Sequence, residues 1–98
     1  MTLKLRKWDV VEHLKTDEDI ALYLDACLDE AGDDAAFIAK ALGDIARARG
    51  MSEIAKASGL TREALYKALR PDAKPRYDTI VKVCGALGVR LVAQAVHV

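Results

Sequence analysis

The sequence predicts an all-α domain of about five helices, closed by a short C-terminal β-strand. Three observations point there. The 98 residues are 52% hydrophobic but only 5% aromatic, with alanine and leucine abundant, which suits helices packed closely through small side chains. Apolar residues recur at helical spacing along most of the chain. The last ten residues, "VRLVAQAVHV", instead alternate in part and are rich in valine, as a strand would be. The length fits one domain, residues 1–98, large enough to bury a real core. Within it, residues 1–33 form an acidic helical extension, 34–88 a helical core and 89–98 the strand.

"TLKLRKW", residues 2–8, alternates apolar and basic side chains and reads as a short strand or an arm. "DVVEHL" then makes a helical turn, with Asp9 as its N-cap. The next segment, "TDEDIALYLDACLDEA", opens on capping chemistry at Thr16 or Asp17. It loads carboxylates into its first turn, where they oppose the positive end of the helix dipole. Ile20, Leu24, Cys27 and Leu28 share one face, and Gly32 ends the helix. "DDAAFIAKALGDIARARG" follows, with Phe37, Ile38, Ala41, Leu42 and Ile45 on one stripe. Arg47 and Arg49 lie in its last turn, and Gly50 suits the turn after it. Ser52 is the expected N-cap of a short helix, "SEIAKAS", that stops at Gly59. Thr61 caps another, "TREALYKALR", that stops before Pro71. "DAKP" is a loop, because Pro75 disfavours helical geometry at Lys74. "YDTIVKVCGALG" is the last helix, with Ile80, Val83, Cys84 and Leu87 inward and Gly88 as its stop.

The net charge is zero, yet the chain is divided. Residues 9–34 hold ten acidic side chains against one basic, and residues 47–76 hold eight basic against three acidic. Such asymmetry marks two partner surfaces as readily as two solvated faces. Residues 51–70 read as helix, turn, helix. Ala55 permits a close approach, Gly59 supplies positive φ, and Ile54, Leu60, Leu65 and Leu69 pack the pair inward. Thr61, Arg62, Glu63, Tyr66, Lys67 and Arg70 are left outward on the second helix. A helix so equipped can enter the DNA major groove, with Arg62, Tyr66 and Lys67 expected on the DNA side; the other reading is a plain helical hairpin with a solvated face. Arg47, Arg49, Lys56, Arg70 and Lys74 surround it and are expected on phosphates, with Ser52 beside them. The lone strand invites a second copy of the chain, or "TLKLRK" of its own, so a homodimer is expected.

Other chemistry is poorly supported. His13 stands four residues from both Asp9 and Asp17, but the helix break near Thr16 spoils a metal geometry, and His97 has no such neighbours. Cys27 beside His13 is better explained by core packing than by nucleophilic catalysis. There is no phosphate loop and no GxSxG, so no enzyme, cofactor or metal is expected. Cys27 and Cys84 read as buried free thiols, no apolar run is long enough for a membrane span, and the expected location is cytoplasmic.

"ALGDIARARGMSEIAKASGLTREALYKAL", taken with "WDVVEHLKTDEDIALYLDACL" before it and "IVKVCGALGVRL" after it, resembles the addiction-module antidote family. These are antitoxins with a phage-repressor-like helix-turn-helix, similar to the HigA group. The likeness spans about residues 7–93. It implies an antitoxin that binds operator DNA, represses its own operon and neutralises a RelE-like messenger-RNA interferase. Two positions depart from the family pattern. Glu53 stands where members often carry a phosphate-reaching glutamine, and Ala73 and Lys74 stand where a glycine and an asparagine are common. A toxin that cuts RNA needs a basic surface. The carboxylates Asp17, Glu18, Asp25, Asp29 and Glu30, on one amphipathic helix that also carries Asp19, are therefore the expected toxin-binding set. Two rival readings are a helix-turn-helix transcription regulator with no toxin partner and an interaction module that has lost DNA binding. Glu53 and Glu63 favour the second of these.

Overall fold

The computed structural model describes residues 14–95. Five helices lie among them: α1 (Asp17–Ala31), α2 (Ala35–Arg49), α3 (Met51–Ser58), α4 (Arg62–Ala68) and α5 (Tyr77–Ala86). The expected arm over residues 2–8 and nearly all of the helical turn over 9–14 fall outside the described residues, as do Trp8, His13 and His97. No described helix is long and apolar enough to cross a membrane.

Local chemistry sets most helix ends. At α1, Thr16 Oγ1 accepts from the Asp19 N–H at 3.1 Å, and the Asp19 carboxylate accepts from the Thr16 N–H at 3.2 Å. This reciprocal pair satisfies two donors that the first turn leaves free. At α2, the Asp34 carboxylate accepts from the N–H groups of Ala36 and Phe37, at 3.1 and 3.2 Å. Thr61 does the same for α4, accepting from Ala64 at 3.0 Å.

Ser52 is not a cap. It lies exposed inside α3, which begins one residue earlier, at a buried Met51. Gly50 replaces it in a different way. The Gly50 N–H closes α2 on the Ala46 carbonyl at 2.8 Å, and its own carbonyl accepts from Ile54 at 3.1 Å to open α3. One residue at φ 108° thus ends one helix and starts the next, leaving no space for a linker.

The expected C-terminal strand is also absent from the described residues. After α5 the chain turns through Gly88, and the Val89 N–H returns to the Cys84 carbonyl at 3.0 Å. Residues 89–95 then run without regular structure. A strand exists only by exchanging hydrogen bonds with a neighbour, and alternation alone supplies none.

The core is one cluster. Ile20, Leu24 and Cys27 enter it from α1, Ile38, Leu42 and Ile45 from α2, Met51 and Ile54 from α3, Leu65 from α4, and Val83 and Cys84 from α5, with Leu69 and Leu87 just after the last two helices. Helix α1 packs on α2, α2 on α3, and α3 on both α4 and α5. Both cysteines are free and buried, as expected. Burial pushes both thiols above their usual range. Tyr23, half-buried against the cluster, is pushed well above the usual tyrosine value, first by burial and then by the adjacent Cys27 and the Asp44 charge.

These shifts carry a sign. Each raised group stays neutral in the folded chain at a pH where the unfolded chain would ionise it, so unfolding releases protons and stability falls as pH rises. The contribution is fully present below about pH 8 and declines as the unfolded thiols and then the phenol ionise, near 8.5 and 10. Urea unfolding between pH 7 and 11 is expected to show that decline. Tyr23→Phe flattens the part above pH 10 and, by removing the hydroxyl that favours the Cys27 thiolate, deepens the part governed by that thiol.

Candidate functional site

Helices α3 and α4 meet at a turn of three residues. Gly59 takes φ 79° and ψ 8°, the left-handed conformation, and its N–H reaches back to the Lys56 carbonyl at 3.4 Å. The Leu60 N–H bonds to Ala55 O at 3.1 Å, and Thr61 then caps α4. Gly59 and Leu60 are thus tied back to α3, which fixes the direction in which α4 leaves. Leu65 and Leu69 are fully buried beneath it.

Those two leucines decide what α4 shows. Arg62, Glu63, Tyr66, Lys67 and Arg70 are all exposed, together with Thr61 at its start. Ser52 and Lys56 are exposed on α3, and Lys74 on the loop that follows α4. The Arg62 guanidinium lies over the Tyr66 ring, 5.5 Å from its centroid, and its Nη2 donates to the Tyr66 hydroxyl at 3.3 Å.

Arg47 and Arg49 are differently placed, because each meets a carboxylate of its own chain. Asp44 is 9% exposed and lies between Lys40 at 3.2 Å and Arg47 at 3.8 Å. Arg49 reaches across to Asp17, at the start of α1, at 3.5 Å. The basic candidates thus form two sets. The set on α3, α4 and the following loop has no ion-pair partner among the described residues, whereas the pair on α2 does.

The acidic candidates share α1. Ile20, Leu24 and Cys27 face the core, and Asp17, Glu18, Asp25, Asp29 and Glu30 are exposed. Asp19 is engaged in the cap. Glu18, Asp25 and Asp29 follow helical spacing with Leu22, whose side chain is 71% exposed. An apolar groove beside this face is lined by Leu22, Leu28, Leu91 and Val92, with Asp25 at its edge. Leu91 also lines the adjoining depression formed by Tyr77 and Val81. No group of three or more potential metal ligands occurs among the described residues.

Two contributors escape a pattern reading. Gly43 lies inside α2, where a Cβ would fall 2.9 Å from the Leu69 carbonyl and 2.9 Å from Arg47 Nη1. A glycine within a helical run is itself the signal, since it often marks a close approach of another segment. Leu22 is the second. It breaks the polar side of α1, and plain amphipathic scoring passes over one such residue.

Two comparisons find relatives. A protein-family model described as "Probable addiction module antidote protein" matches residues 4–95. An uncharacterized protein of Haemophilus influenzae is 48% identical over 94 residues, covering 96% of this chain and 95% of that relative. No solved structure matches the chain.

The contact at Gly43 yields an expectation for Gly43→Ala. Alanine gains about 1 kcal/mol of helix propensity. The obstructing atom on one side is backbone, so α4 must move, and forcing an added methyl into packed space costs about 1–3 kcal/mol. A net loss of stability in urea unfolding is expected, with chemical-shift changes concentrated on residues 62–70. Stabilisation without movement of those signals would show that α4 is not held by this contact.

Proposed function

The chain belongs to the addiction-module antidote family, and from that premise we propose that it is a DNA-binding antitoxin that represses its own operon and neutralises a RelE-like toxin. Family membership implies a toxin partner. The observation that carries the DNA-binding part is the α3–turn–α4 unit. Two buried leucines and a left-handed glycine hold a short helix whose outer side is polar and has a basic excess. That is what a phage-repressor-like helix-turn-helix requires, with α4 as the helix that enters the major groove.

In this reading Arg62, Tyr66 and Lys67 approach base edges, with Thr61 and Glu63 at the rim. Ser52, Lys56, Arg70 and Lys74 lie along the backbone, and Arg47 and Arg49 join them by leaving Asp44 and Asp17. Glu53 sits exposed in the first turn of α3, where its charge repels phosphate and favours the helix dipole. The chain acts as a homodimer. Tyr77, Val81 and Val92, which are 70%, 44% and 69% exposed, give each copy an apolar surface to pair. Two-fold symmetry then matches a palindromic operator. Asp17, Glu18, Asp25, Asp29 and Glu30 of α1 receive the toxin by standing in for an RNA backbone. No catalytic step is assigned to the chain.

The DNA arm is tested with a duplex from upstream of the gene. Binding is expected to weaken steeply with salt, and Lys56→Ala or Arg70→Ala should weaken all sequences alike and reduce the logarithmic salt slope by about one. Binding that ignores salt would overturn it.

The toxin arm is tested by co-purification with the product of the adjoining reading frame. Reversal of Asp25, Asp29 and Glu30 to lysine should slow association most at low ionic strength, with the fold intact by circular dichroism. A reversed variant that associates as fast as the wild type at both low and moderate salt would move the toxin to another surface.

A further inference from the structure

Arg62 and Tyr66 form a unit before any partner arrives. They lie one helical turn apart on α4, and both face solvent. The guanidinium rests over the ring at 5.5 Å, and one of its nitrogens donates to the phenol oxygen at 3.3 Å. No carboxylate among the described residues pairs with Arg62, whereas Arg47, Arg49 and Arg76 each have one. Arg62 is therefore an arginine whose charge is unspent and whose fork is already held. It also occupies the first helical position of α4, next to the Thr61 cap. In a helix-turn-helix, that end of the second helix is the one nearest the base edges.

We propose that Arg62 reads a guanine in the major groove and that Tyr66 is the positioning residue that holds its guanidinium for this contact. The inference rests on the DNA-binding reading above and adds the base and the device. The base follows from the donors. Arginine offers only N–H groups, and with one of its five committed to Tyr66 the rest still include adjacent pairs. A partner must then present two acceptors side by side. Guanine does so with O6 and N7, whereas adenine sets an amino donor beside its N7, and cytosine and thymine present no such pair. The positioning role follows from the cation–π contact and the hydrogen bond between the two side chains. A free arginine side chain on a helix surface samples many rotamers, and each one frozen on binding is lost affinity. The tyrosine ring removes part of that freedom beforehand and offers a flat face that matches the planar guanidinium.

The experiment uses the full chain and a pool of randomised 20-base-pair duplexes, selected by binding and sequenced. The wild type is expected to enrich a guanine at a fixed position. Replacing that guanine by 7-deazaguanine, which lacks the N7 acceptor, should weaken the wild type about tenfold or more. Arg62→Ala and Arg62→Lys should both lose the preference at that position and become indifferent to the deaza substitution, while other selected positions persist. Tyr66→Ala should reduce the guanine preference by a larger factor than it reduces affinity for a scrambled duplex, and Tyr66→Phe, which keeps the ring, should recover most of that preference. Circular dichroism checks that each exposed-site variant folds. If Arg62→Ala selects the same guanine as the wild type, the assignment is wrong. If Tyr66→Ala keeps full preference, the positioning role is wrong. A pool from which no sequence is enriched overturns the DNA-reading role itself, and this inference with it.

Discussion

The burial of Leu65 and Leu69 is the interaction on which the rest of the α3–α4 unit depends. A helix as short as α4, seven residues, does not persist in water on its own propensity. Both leucines are fully buried, and such burial stabilises by about 1.5–3 kcal/mol for each side chain. Set against the 5–15 kcal/mol by which a domain is typically stable, those two contacts are a substantial share. They also orient. With Leu65 and Leu69 inward, Lys67 is turned well away from the core, and Arg62 and Tyr66 are exposed along the margin of the buried side. Gly43 lets the Leu69 end descend onto α2, and Gly59 sets the angle at the other end. The exposed chemistry of α4 is thus a consequence of what its hidden side touches.

Charge is distributed by a second rule, which is pairing. Asp44 is nearly buried, and a buried carboxylate needs partners; Lys40 and Arg47 provide them. Removing one cation would leave the carboxylate less well compensated, which gives Arg47 a structural role whatever else it contacts. Arg49 and Asp17 are more open, and exposed pairs of this kind contribute at most about 1 kcal/mol. A phosphate or a cationic partner can therefore take either member at little loss. The same pair joins the end of α2 to the start of α1, so the two charged halves of the chain touch through it.

What the sequence made legible was local. Thr16, Thr61 and Gly59 announce their roles because the groups they satisfy lie within three or four residues of them; the Asp34 cap was equally local and went unread. The buried stripes of α1, α2 and α5 follow from spacing, and the exposed set on α4 follows by subtraction. The other failures were non-local or competitive. Ser52 has the right chemistry for a cap, but Gly50 closes α2 and opens α3 at once, and a buried Met51 draws the helix start forward. Residues 89–95 alternate as a strand would, yet alternation says which face is apolar and nothing about whether a neighbouring backbone is present. Gly43 depends on Leu69, 26 residues away, and no local window contains both.

On the proposed antitoxin reading, the outer side of α1 combines two kinds of recognition that act at different stages of an encounter. Glu18, Asp25 and Asp29 are exposed and carry no ion-pair partner among the described residues, so their field reaches outward within the limit set by salt. Fields of this kind raise association rates and align partners, but rim charges add little to the lifetime of a complex. Leu22 stands among them, mostly bare, beside a groove lined by Leu28, Leu91 and Val92. An apolar residue ringed by carboxylates is costly to leave in water, and its burial would slow dissociation in a way the carboxylates cannot. On the proposed antitoxin reading, the two functions separate by residue. The acids set how fast a basic toxin arrives, and the leucine with its groove sets how long it stays. Acidic character alone would describe only the first half of that surface.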